Sequence, residues 1–86
     1  MRKASKPLSA REVFAQNLRR NRRLRDISQE ALALQAGLSR TYISEVERGV
    51  RNISIDNMGL LAETIKVPLR DLVDPELLTG KRDVAN

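Results

Sequence analysis

The chain has 86 residues, sixteen Lys or Arg against eleven Asp or Glu, a formal net charge of +5, and neither Cys nor His. That length holds a single small domain, and without thiols or imidazoles there is no disulfide framework, no usual zinc ligand set and no His base, which excludes triad-type and metal-dependent catalysis. Phe14 and Tyr42 are the only aromatic residues, too few for the stacking platforms of single-strand and RNA binders.

Residues 1–25 carry nine basic side chains (Arg2, Lys3, Lys6, Arg11, Arg19, Arg20, Arg22, Arg23 and Arg25) against one acid, Glu12. A basic small domain suggests a polyanionic partner, although a charge run alone also describes a solvated helix face. Residues 1–8 read as a flexible basic arm. They contain no apolar stretch of the kind a secretory signal needs, and no run in the chain approaches the ~20 apolar residues of a membrane helix. A cytoplasmic location without membrane association is expected.

Ser9 followed by Glu12 is a capping-box pattern, and Val13, Phe14, Ala15 and Leu18 begin an apolar stripe at helical spacing. This first helix runs to about Leu24-Arg25, with Asn21 interrupting its inner face. Ser28 opens a second helix through Ala31, Leu32, Ala33, Leu34 and Ala36, and Gly37 stops it. Ser39 opens a third, from Arg40 to about Arg48, with Ile43 and Val46 on one face and Gly49 at its end. After a loop at Val50-Arg51-Asn52-Ile53, Ser54 caps a fourth helix with Asp56 in its first turn and Met58, Leu61 and Ile65 inside. Pro68 stops it and opens a short fifth helix over Leu69 to Val73. Pro75 to Leu78 can add one more turn, and residues 80–86 read as a flexible tail. No strand pattern and no internal repeat appear. The domain therefore spans 9–79, and its expected core is Phe14, Leu18, Ile27, Leu32, Leu38, Ile43, Val46, Met58, Leu61, Ile65 and Leu72.

The segment from Ser28 to Gly49 is two short helices joined at Ala36-Gly37-Leu38-Ser39. Ala33 allows a close approach, Gly37 supplies a positive φ, and Leu38, Ile43 and Val46 fasten the second helix to the core. With Arg19 and Arg22 before it, and Ser28-Gln29-Glu30 and Tyr42-Ile43-Ser44-Glu45-Val46-Glu47-Arg48-Gly49 within it, this stretch resembles the phage Cro and repressor type of helix-turn-helix regulator, the XRE family. The likeness continues through Ile55, Met58, Leu61, Ala62, Ile65, Val67-Pro68 and Leu72, covering about Val13 to Val73. It implies an all-α, five-helix bundle of the lambda-repressor-like DNA-binding type, the motif being helices two and three. Arg40-Thr41-Tyr42-Ile43-Ser44, Glu47-Arg48 and Arg51-Asn52 look similar to the controller proteins of restriction–modification systems. Asn21 in place of an apolar residue, Asp26 where Gly is common, and Gly59 inside helix four depart from the pattern.

The resemblance implies base contacts in the major groove from Ser39, Arg40, Thr41, Ser44 and Glu45. Arg40 can read guanine with its planar fork, and Thr41 can set its methyl against thymine. Glu45 can accept from cytosine or orient Arg40. Phosphate contacts are expected from Arg19, Gln29, Tyr42, Arg51 and Asn52, with Tyr42 equally suited to a partly buried packing role. Arg22 and Glu47 are expected to form a partly buried ion pair. Leu69, Val73, Leu77 and Leu78 exceed what a small core can cover and are the expected homodimer surface. The reading is a repressor, activator or both, acting on double-stranded DNA, with RNA polymerase as a further partner of activation. It needs no metal and no cofactor. A second class, an antitoxin or antirepressor whose main ligand is a protein, uses the same fold; the surplus positive charge favours DNA.

Overall fold

The computed structural model describes residues 7–76, which fold as five helices: α1 (Ala10–Leu24), α2 (Gln29–Ala36), α3 (Arg40–Glu47), α4 (Ile55–Ile65) and α5 (Leu69–Leu72). Most of the basic arm, together with Leu77, Leu78 and the tail, lies outside the described residues.

Four serines start four helices in the same way. The side chains of Ser9, Ser28, Ser39 and Ser54 accept from the backbone N–H of Glu12, Ala31, Tyr42 and Asn57 at 3.2, 2.9, 3.0 and 3.1 Å. Each satisfies an amide that has no partner within its helix, which stabilises by about 1 kcal/mol. At Ser9 the box is complete, because Glu12 reaches back to the Ser9 N–H at 2.8 Å.

The ends are equally uniform. Asp26, Gly37, Gly49 and Lys66 follow α1 to α4 with φ between +56° and +74°. The residue after each donates its N–H across the end of the helix: Ile27 to Arg22, Leu38 to Ala33, Val50 to Glu45 and Val67 to Ala62, at 2.9–3.2 Å. This is the left-handed closure that satisfies the last carbonyls. Three connections then share one pattern of left-handed residue, apolar residue and cap: Asp26-Ile27-Ser28, Gly37-Leu38-Ser39 and Lys66-Val67-Pro68. Ile27, Leu38 and Val67 pack against the core. Asp26, a departure from the family pattern, thus occupies a backbone position that Gly tolerates most easily.

α2 packs on α3 and α4, while α1 crosses α3 and α5. Phe14, Leu18, Leu32, Ile43, Val46, Leu61, Ile65 and Leu72 are buried as expected; Ile27, Leu38 and Met58 are half-buried at the core margin. The polar residue inside α1 is Asn17 rather than Asn21. Asn17 is 1% exposed, and its amide donates to the Asp74 carbonyl at 3.1 Å, tying α1 to the segment after α5. Asn21 is half-buried, donates to the Asn17 carbonyl and accepts from Arg25, so its polarity is satisfied locally. Leu69 is half-buried against the core, whereas Val73 stays 46% exposed.

Candidate nucleic-acid interface

α3 has two unlike faces. Ile43, Val46 and Glu47 point inward, and on the other side Ser39, Arg40 and Thr41 are exposed while Ser44 and Glu45 are half-buried. Arg40, Thr41, Ser44 and Arg48 line one shallow concavity along the helix. The leading end of α3 is therefore exposed, and three of the five expected base readers, Arg40, Thr41 and Ser44, line that concavity. Arg48 was not among the expected contacts. Its position one turn after Ser44, itself one turn after Arg40, is the signal that finds it.

Behind this surface lies a buried polar cluster. The Arg22 guanidinium donates to both oxygens of Glu47, Nε to Oε2 at 2.6 Å and Nη2 to Oε1 at 2.9 Å, and its Nη1 donates to the Ile27 carbonyl at 2.8 Å. Gln29 Nε2 donates to Glu47 Oε1 at 3.0 Å. The Glu47 side chain is 1% exposed and that of Arg22 10%. A two-pronged, charge-assisted pair of this kind holds both direction and distance. It joins the end of α1, the start of α2 and the end of α3, so the helix-turn-helix is clamped at three points. Gln29 is positioned by its bond to Glu47. Its second amide hydrogen and the amides at the start of α2 remain suited to an anion.

A second, outer network fastens the loop after α3. Arg51 Nη1 donates to Glu45 Oε1 at 3.2 Å, and the Arg51 guanidinium lies over the Tyr42 ring, 4.8 Å from its centroid. Tyr42 is half-buried, and its hydroxyl oxygen accepts from Asn57 Nδ2 at 3.0 Å. Glu45 thus holds Arg51 and not Arg40, which corrects that part of the expectation. Tyr42 takes the packing role, its ring lying against the core, and its O–H hydrogen is left free to donate because Asn57 engages only the oxygen. Asn57, on α4, was missed because nothing in local spacing relates it to Tyr42. Asn52 is exposed beside Arg51. Arg19 stands apart on α1, yet lines a concavity with Gln16, Arg48, Gly49 and Val50.

Comparison with known proteins agrees with this geometry. A helix-turn-helix family, HTH_3, matches residues 18–72. The chain belongs to the HTH_3 helix-turn-helix family. It is 43% identical over 65 residues, 74% of its length and 80% of the relative's, to control protein C.BamHI of Bacillus amyloliquefaciens. The fold matches that of the hypothetical transcription factor NHTF from Neisseria, with a TM-score of 0.81, 36% identity, and 94% of this chain and 93% of that one covered. It also matches the restriction–modification controller protein C.AhdI from Aeromonas hydrophila, with a TM-score of 0.70, 42% identity, and coverage of 72% and 94%. HTH_3 members of this kind are DNA-binding transcriptional regulators, not enzymes, and this protein is one of them. No helix among the described residues is long and apolar enough to cross a membrane.

Proposed function

We propose that the protein is a sequence-specific regulator of the restriction–modification controller kind, which binds a palindromic operator as a homodimer with α3 in the major groove. The observation that carries this reading is the free leading end of α3, where Arg40 and Thr41 stand exposed while Ile43, Val46 and the Glu47 clamp hold the helix from behind. Arg40, Thr41, Ser44, Glu45 and the Ser39 cap are the base readers, and Arg40 is the guanine reader. Arg19, Gln29, Tyr42, Arg51 and Asn52 take phosphates, and the place of Arg48 beside Arg40, Thr41 and Ser44 supports a further contact from it. Likeness to C.BamHI and C.AhdI supports the controller assignment.

The exposure of Val73 beside the half-buried Leu69 supports a second copy docking there, and Leu77 and Leu78, outside the described residues, belong to the same proposed surface. Two such motifs suit half-sites one helical turn apart, ~34 Å. RNA polymerase enters as a partner where the bound dimer activates, and the site of action is cytoplasmic DNA. Selection of bound duplexes from a random pool tests the proposal. An inverted repeat with a guanine-dependent position lost in Arg40→Ala is expected; recovery of no common site, or of a single unpaired half-site, overturns it. Light scattering at tens of micromolar checks the dimer independently.

A further inference from the structure

The outer face of α1 enters the interface above only through Arg19. Gln16, Arg19, Arg20 and Arg23 recur at helical spacing on one face, with Arg20 and Arg23 exposed. Gln16 and Arg19 line two concavities at once: one continues to Arg48 and Val50 at the end of α3, the other to Arg20, Arg23 and Leu24 along α1. Arginines therefore line both concavities, Arg48 and Arg19 the first and Arg19, Arg20 and Arg23 the second. Two carboxylates border this path: Glu47 is paired with Arg22, while Glu12 accepts from the Ser9 amide and keeps its charge, one acid against the arginines of the two concavities. Neither Arg19 nor Arg23 makes an ion pair with a described carboxylate. The two stand one turn apart, ~6 Å along the helix axis.

We infer that this face is a second DNA surface, which takes the phosphate backbone of duplex flanking the operator and lengthens the footprint without reading sequence. The inference rests on the duplex-DNA reading above. Its chemistry is phosphate neutralisation by exposed guanidinium groups, which shows in the salt dependence of binding rather than in base preference.

The test uses the site recovered by selection, in a duplex trimmed to its outermost selected base pairs and in one extended by about ten base pairs, one helical turn, on each side. The full chain should bind the longer duplex roughly tenfold more tightly at ~50 mM salt. Arg23→Gln should leave binding to the trimmed duplex unchanged, reduce the gain from length, and lower the salt slope on the longer duplex by about one unit. Where that variant melts early by circular dichroism, Arg23→Ala should lower that slope by the same one unit. Equal binding of both duplexes by the unaltered protein, or an unchanged slope in the variants, overturns the inference. So does a loss seen only in transcription with RNA polymerase, which would assign the face to a protein partner. Failure to recover any site by selection would instead strike the function itself.

Discussion

Two ion pairs hold α3, and they differ in almost everything but chemistry. Arg22–Glu47 is shielded, two-pronged and supported by Gln29, with side chains 10% and 1% exposed. Glu45–Arg51 makes one 3.2 Å contact between side chains 31% and 49% exposed. Removing one partner of a shielded pair strands a charge away from water, whereas an open pair is screened and contributes little to folding. The inner pair therefore sets where the recognition helix stands. The outer pair keeps two polar groups at the surface in a defined arrangement, from which a duplex can take them.

The largest effect separating them is expected from Glu47→Ala. It should lower unfolding free energy by ~3–5 kcal/mol in urea titrations, since Arg22 loses both carboxylate contacts. A loss under about 1 kcal/mol would mean that water reaches Arg22 and that the inner pair is no different from the outer one. Gln29→Ala comes next, at roughly 1.5 kcal/mol of stability, because Glu47 keeps its two arginine contacts and loses one neutral donor. Arg40→Ala should cost ~1–3 kcal/mol of affinity for the selected site and relax one base position, with the melting temperature unchanged. Arg51→Ala should weaken binding to all duplexes alike and lower the salt slope by about one unit. The smallest effect is the stability coupling of Glu45 with Arg51 in a double-mutant cycle, about 0.2–1 kcal/mol after solvent screening. A value near that of the inner pair would erase the distinction.

The helices were legible because their ends carry local chemistry. Ser9, Ser28, Ser39 and Ser54 are read from type and position, as are Gly37 and Gly49. Asp26 and Lys66 were harder. Any residue there is driven left-handed by the apolar residue that follows it into the core, and composition does not announce that. Asn17 shows a different limit. A buried amide inside an apolar stripe looks like an error until its partner is known, and that partner is a backbone carbonyl 57 positions away. Within the site, the exposed face of α3 followed from its 3.6-residue period. The Asn57–Tyr42–Arg51–Glu45 chain did not, because it is assembled by tertiary packing of α4 and the loop after α3. Gly59 remains the local conflict: space beside it is open and its backbone is not left-handed, so nothing in the structure requires glycine there.

The corner at Gly37-Leu38-Ser39 is closed by main-chain amides, one serine hydroxyl and one inward leucine. None of the side chains at 40, 41 or 44 helps to build it. On the proposed reading only Ser39 serves both shape and base contact, so exchanging the side chains at 40, 41 and 44 as a set is expected to retarget the protein while the scaffold that presents them stays as it is.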